Sequence, residues 1–166
     1  MTVPGVRCDS IYLLGVRLWS VSTVRQDGSW ASSEAIRKTM VGCRSRDTRP
    51  EKALRSAVHR LGLRFRVCMR PIKEIRRTAD IVFTRTKVAV FLDGCFWHGC
   101  AEHFVSPKTN TPYWMEKISG NQRRDQDTDA RLKAQGWTVV RVWEHEDSKE
   151  AALRVQQIVQ QVRQKS

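Results

Sequence analysis

Apolar residues fall along this chain in two rhythms, and the switches between them mark its elements. After Thr48 the spacing is helical, with Leu54, Val58 and Leu61 on one face of a 3.6-residue period. The stretch Thr48-Arg49-Pro50-Glu51 reads as a capping box: Thr48 as N-cap, Pro50 in the first turn, Glu51 at the third position, with Gly62 ending the helix. Residues 63–67 then read as a short strand and 71–78 as a basic loop. Residues 79–84 and 87–92 are apolar runs of strand length joined by a tight turn at Arg85-Thr86. Residues 112–118 and 121–135 read as two helices, 137–143 as a strand, and Ser148 caps a final helix to about residue 163. A further short helix is expected over 34–40. The order of helix, strands, helices, strand and helix predicts an α/β architecture, a mixed central sheet flanked by helices. Residues 33–166 are expected to form one domain, and 1–32 a poorly ordered extension.

Charge narrows the function class. The chain of 166 residues carries a formal net charge of +13, and the excess is local. Residues 34–78 hold 14 Lys/Arg against 4 Asp/Glu, whereas residues 79–166 hold 13 against 11. A basic stretch of this kind is the footprint of a polyanion, most often nucleic acid. An anionic membrane fits less well, because no clean amphipathic lipid-facing helix accompanies the charge. The apolar segment 11–19 is too short for a membrane span and is broken by Arg17, and it lacks a signal-peptide cleavage pattern. Five cysteines, an odd number without secreted-scaffold spacing, suit a reducing cytosol with some metal ligation.

Residues 93–103 concentrate the chemistry. The stretch follows an apolar strand and packs the Asp93 carboxylate, two aromatics, two thiols and two imidazoles into eleven positions. Cys95, Cys100 and His103 could ligate zinc, with His145, just beyond the 137–143 strand, as a natural fourth ligand. The plainer reading is two buried thiols and two surface histidines. Asp80 opens one apolar strand and Asp93 ends its hairpin partner, so both carboxylates are expected at one sheet edge, where a hard ion such as Mg²⁺ would relieve their repulsion. Asp80 could equally be a strand-start turn residue. His98 is a candidate general base, or a zinc ligand in place of His145. Of Asp125, Asp127 and Asp129, at most one is expected to turn toward the site, the rest forming a solvated face paired with arginines. The capping box accounts for Glu51. Arg55 and Arg60 are expected off the apolar face, free to meet phosphate. The aromatic pairs Phe96-Trp97 and Tyr113-Trp114, with Met40 ahead of a basic run, suit stacking on bases or wedging between them; alternatively one of each pair packs inward.

The chain resembles the very-short-patch repair (Vsr) endonucleases, bacterial enzymes that nick DNA beside T·G mismatches. The resemblance spans roughly residues 33–146. It is carried by Arg46-Asp47-Thr48-x-x-Glu51, Ala79-Asp80-Ile81-Val82, the string from Val90 to His98, and Pro107-Lys108-Thr109-Asn110. Tyr113-Trp114-x-x-Lys117-Ile118, Asn121-x-x-Arg124-Asp125, Gly136-Trp137 and Val142-Trp143-Glu144 complete it. It implies a restriction-endonuclease-like fold and Mg²⁺ at Asp80, held partly through the backbone carbonyl of Leu92. It implies His98 as general base supported by Asp125, Glu51 near the site, and a structural Zn²⁺. It also implies wedging by Phe96, Trp97 and Trp114. Two departures stand out: some family members have histidine where this chain has Asp93, and the strand lysine usual in the nuclease superfamily is missing. The implied reaction is hydrolysis of one strand 5′ to the thymine of a T·G mismatch, leaving a 5′-phosphate. A DNA cytosine methyltransferase and downstream repair proteins would be functional partners of a monomer acting in the bacterial cytoplasm at the nucleoid. The competing readings are a zinc-stabilised DNA-binding module without catalysis, and a nuclease of the same fold with broader duplex specificity.

Overall fold

The computed structural model describes residues 46–165. Met40, the short helix expected over 34–40 and the extension expected over 1–32 lie outside the described residues. The elements are α1 (Arg49–Arg60), β1 (Arg66–Met69), β2 (Ala79–Phe83), β3 (Val88–Asp93), α2 (Thr111–Ala134), β4 (Thr138–Trp143) and α3 (Ser148–Lys165).

Helix α1 starts where its capping box places it. Thr48 is extended at the N-cap, and its hydroxyl accepts from the Glu51 N–H. The Glu51 carboxylate reaches back to the Asp47 N–H at 2.9 Å and accepts from the Thr48 hydroxyl at 2.9 Å. Donors that the first turn would leave orphaned are thereby satisfied. Beyond the helix Gly62 takes φ +78°, a left-handed conformation that costs glycine little.

The four strands lie in the order β1-β2-β3-β4. The first two pairings are antiparallel and β3·β4 is parallel, with Asp93 opposite Trp143. The sheet is mixed and helices flank it, as the alternation of patterns predicts. Alternation along the strands splits the core into two layers. Ile81, Phe83, Val88, Val90, Val140 and Val142 pack with α1 and α3; Val82, Ala89 and Phe91 pack with Leu132 of α2 and with Trp137. Each fully buried Leu, Ile or Val stabilises the fold by about 1.5–3 kcal/mol before entropy is counted.

Two elements differ from the sequence expectation. Strand β1 begins at Arg66, later than the expected 63, because Leu63 is buried as a plug beneath the sheet and not laddered. The two helices expected over 112–135 are one continuous helix of 24 residues. Ser119-Gly120 reads as a break, and a mid-helix glycine does cost about 1 kcal/mol relative to alanine. That cost is offset because Trp114 and Ile118 before the glycine, and Thr128 and Leu132 after it, are all buried. Helix α2 also passes close to the preceding loop at Gly99 (φ +63°), where a Cβ would stand 2.7 Å from Gln122 Nε2.

Candidate active site and metal centre

Parallel pairing of β3 with β4 brings the ends of both strands to one edge, and the loop after β3 is fastened there. The Glu144 N–H continues the ladder to the Asp93 carbonyl at 3.0 Å, while the Glu144 carboxylate accepts from the Cys95 N–H at 2.6 Å. From the other side Asn121 of α2 donates to the Trp97 carbonyl at 2.7 Å and Gln122 to the His98 carbonyl at 3.1 Å. The loop is therefore held between a strand end and a helix, and its side chains are set by those anchors.

A cavity of about 320 Å³ opens at this edge, lined by Asp80, Asp93, His98, Asp125, Arg124 and Arg141 among others. His98 Nδ1 lies 2.6 Å from Asp125 Oδ2 and 3.7 Å from Asp93 Oδ1. Burial pulls the His98 pKa down, but the Asp125 hydrogen bond and the Asp93 charge outweigh it and leave the ring above its ordinary value. Asp125 is lowered: burial opposes this, and His98 and Arg141 prevail.

Asp80 lines the same cavity as Asp93, at the sheet edge where the hairpin places both, and each lies within reach of the other's charge. Asp93 is buried and held by Arg141, whose Nη1 lies 2.8 and 3.0 Å from its two oxygens. The atoms that approach within 4.8 Å of one another belong to Asp93, His98 and Asp125, with Asp80 outside that group. Among the described residues the Asp80 carboxylate accepts the Leu92 N–H, at 2.8 Å. Burial pushes its pKa up to about 6; the Leu92 N–H and Arg55 pull it down, and the charges of Glu51 and Asp93 push it further up. A buried carboxylate in this condition, among acidic neighbours, suits a hard divalent cation.

Arg141 is the residue that sequence reasoning missed. Besides Asp93 it contacts Asp125 Oδ1 at 3.2 Å and Asp129 Oδ1 at 2.9 Å, and its guanidinium lies over the Phe91 ring. Its signal was present: a charge inside the apolar strand Val139-Val140-Arg141-Val142 must find partners if that face is covered. Two of the three α2 aspartates therefore turn inward, Asp125 and Asp129, where one was expected. Asp127 pairs with Arg131 on the same helix and with Arg77, which lines the cavity from the loop before β2. Arg55, expected to be free for phosphate, is engaged: it bonds Asp47 at 2.5 Å, Glu51 at 2.8 Å and the Cys68 thiol at 3.4 Å.

Cys95, Cys100, His103 and His145 place one ligand atom each within 4.8 Å of the others. Cys95 Sγ lies 3.1 Å and Cys100 Sγ 3.7 Å from His145 Nδ1, and Cys100 Sγ lies 3.9 Å from His103 Nδ1. Two thiols and two imidazoles at these separations are the donor set and the spread of a tetrahedral zinc site. His145 Nε2 faces Glu102 at 3.7 Å, as metal-bound histidines commonly face a carboxylate. Burial raises the Cys95 thiol pKa, a proton that a bound divalent ion would displace.

The aromatics cluster beside the cavity. Phe96 meets Trp97 edge-on at 5.2 Å and Trp114 at 5.4 Å, and Trp97 meets Trp114 at 6.0 Å. Phe96 and Trp97 are half-buried, whereas Trp114 is only 8 % exposed. Trp114 thus backs the other two in this structure and is not itself an exposed wedge.

Comparison with known proteins agrees with this geometry. The family model for DNA mismatch endonuclease Vsr matches residues 31–103. The type II nicking enzyme V.NaeI of Lentzea aerocolonigenes is 45% identical over 120 residues, 71% of this chain and 72% of that protein. The type II nicking enzyme V.XorIIP of Xanthomonas oryzae pv. oryzae is 44% identical over 123 residues, 74% of this chain and 88% of that protein. DNA mismatch endonuclease Vsr of Escherichia coli K12 is 38% identical over 108 residues, 64% of this chain and 67% of that protein. With these similarities over a loop that delivers a histidine–aspartate pair and four soft-metal ligands to one sheet edge, the chain belongs to the Vsr family of DNA endonucleases.

Proposed function

We propose that this protein nicks one strand of duplex DNA on the 5′ side of the thymine in a T·G mismatch, leaving a 5′-phosphate. The observation that carries the proposal is the 2.6 Å His98–Asp125 pair in a cavity shared with Asp80, beside two half-buried aromatics. Asp125 keeps Nδ1 of His98 protonated, which leaves Nε2 to take a proton from the attacking water. Asp80 and the Leu92 carbonyl would hold Mg²⁺, which when bound stabilises negative charge on the phosphate. Glu51 adds to the field at Asp80. Cys95, Cys100, His103 and His145 would hold a structural Zn²⁺ that keeps the loop in place. Phe96 and Trp97 would stack at the mismatch, backed by Trp114, and a mispaired step is cheaper to unstack than a paired one. On this reading the fold is of the restriction-endonuclease type. The T·G pair arises by deamination of 5-methylcytosine, so a DNA cytosine methyltransferase is the functional partner and repair proteins act downstream. The protein works as a monomer in the cytoplasm, at the nucleoid. None of the described helices is long and apolar enough to cross a membrane.

A second reading, nicking with a different duplex specificity, is favoured by one observation: the two relatives near 45% identity are named type II nicking enzymes. Duplexes that differ only in a T·G or a T·A pair, incubated with enzyme and Mg²⁺, separate the two. Nicking confined to the T·G duplex in at least one flanking sequence supports mismatch repair. Equal cutting supports broader specificity, and binding with no cutting in any context supports a non-catalytic module.

A further inference from the structure

The described surface carries a second cationic feature, at the end of the sheet away from Asp80 and His98. Strand β2 runs from Asp80 at the active edge to the turn 84–87, and a cavity of about 470 Å³ opens beside that turn. Arg64, Arg66, Arg85 and Arg163 line it, over a floor that includes Phe65 and Phe83. Among the described residues no carboxylate lines it. The sequence explains why: no Asp or Glu occurs between Lys52 and Lys73, between Ile81 and Leu92, or from Ala151 to the C-terminus. These three segments supply the walls.

Basic residues near helix C-termini are ordinary partners of the helix dipole, and Arg163 in the last turn of α3 needs no further account. Arg64 touches His59. Arg66 and Arg85 are different. Arg66 is on a strand, Arg85 is in a hairpin turn, both are exposed, and neither has a carboxylate beside it among the described residues. Thr86, also on the wall, has its hydroxyl buried without a hydrogen-bond partner among the described residues. Like charges gathered without counter-charges repel one another, and the arrangement becomes favourable when a polyanion neutralises them. Guanidinium groups are matched in shape to phosphate oxygens.

We propose that this cavity is a second phosphate site, one that grips the sugar–phosphate backbone of a DNA segment other than the one in the catalytic cleft. It reads no sequence, since contacts to phosphate position a duplex without specifying it. Its use is to keep the enzyme on DNA while the cleft samples base pairs, because non-specific affinity comes almost entirely from phosphate contacts.

The test uses the full chain and the double variant Arg66→Gln/Arg85→Gln, which touches neither the cleft nor the Cys/His cluster. The expected result is an unchanged nicking rate on a short duplex that the cleft binds. For a long matched duplex, the plot of log affinity against log salt concentration should flatten by roughly 2, about 0.9 per lost phosphate contact. The wild type should also take up a second short matched duplex at low salt, and the variant should not. An unchanged salt slope with one duplex per chain in both proteins overturns the proposal. So does a cavity that takes inorganic phosphate, seen as chemical-shift changes at Arg66 and Arg85, but never a duplex. If the protein nicks no T·G substrate yet loses the second duplex on substitution, the mismatch reading fails and this site stands.

Discussion

At the residue scale, the proton chemistry rests on His98 and on what Asp125 does to it. A general base works only when deprotonated, so the nicking rate should rise with pH through the raised pKa of His98, above the ordinary 6.5. His98→Ala should lower the rate by about 10²–10⁴-fold, with DNA affinity nearly unchanged. In Asp125→Asn the raising charge is gone: the acid limb of the pH–rate profile should move to lower pH while the plateau falls. Stability follows the same linkage. His98 is raised in the fold, so its contribution is complete below the unfolded value and is lost as pH climbs through the folded one. Asp125 is lowered, so its contribution is present above 3.8 and is lost as pH falls through its folded pKa. Asp125→Asn should therefore destabilise most between pH 3.8 and 6.5, and equal loss at pH 9 in thermal melts would contradict the pairing. Arg141 binds three carboxylates, and removing one partner of a buried cluster leaves the others uncompensated. Arg141→Gln should cost roughly 3 kcal/mol in denaturant unfolding, with Arg141→Lys recovering only part, since a single ammonium cannot span Asp93, Asp125 and Asp129 together.

At the element scale, the loop between β3 and α2 is the piece whose order depends on something outside regular structure. It is tied to β4 through Glu144 and to α2 through Asn121 and Gln122, and its Cys/His cluster joins it to His145. One zinc per chain is expected by elemental analysis, and Cys100→Ser should lose it. Because the sheet core is packed by other residues, hydrogen exchange should then quicken in residues 94–110 and around 144–146 while the amides of β2 and β3 stay protected. Uniform loss of protection across the chain would mean that the cluster holds the whole fold and not one edge. The elements themselves were legible where their signals were local. The capping box announced α1, and the apolar runs announced β2, β3 and β4. The join of two expected helices into one α2 was not legible, because tertiary burial on both sides of Gly120 outweighs its low propensity.

At the scale of the whole molecule, charge and sheet polarity divide the surface into two ends. The carboxylates of Asp80, Asp93 and Asp125 gather at one end of the sheet, with Asp129 joined to them through Arg141, and the acid-free basic segments lie at the other. The acidic end can act on a polyanion only with its charge offset. Arg141 and Arg124 supply part of this, and a divalent cation at Asp80 would supply the rest. Nicking should consequently require added Mg²⁺ and be abolished in Asp80→Asn, whose fold should be no less stable at pH 7, since burial already penalises the charged form of that carboxylate. Activity that persists in Asp80→Asn after exhaustive chelation would remove the ion from the mechanism.

By itself the sequence determined the element types, the α/β class, the basic footprint and the side chains capable of chemistry, since propensity, capping and donor chemistry are local properties of the residues that carry them. Cys95, Cys100, His103 and His145 could be named as a set for that reason. The tertiary structure alone decided what those groups meet. Parallel pairing of β3 with β4 is a contact between residues 50 apart, and it brings Arg141 onto Asp93. The register of α2 over the sheet chose Asp125 for His98, gave Asp129 to Arg141 and left Asp127 to Arg77 and Arg131. Burial of Trp114 behind Phe96 and Trp97 depends on that same docking. No local pattern encodes such pairings, because each is a compromise among distant surfaces that must all be covered at once.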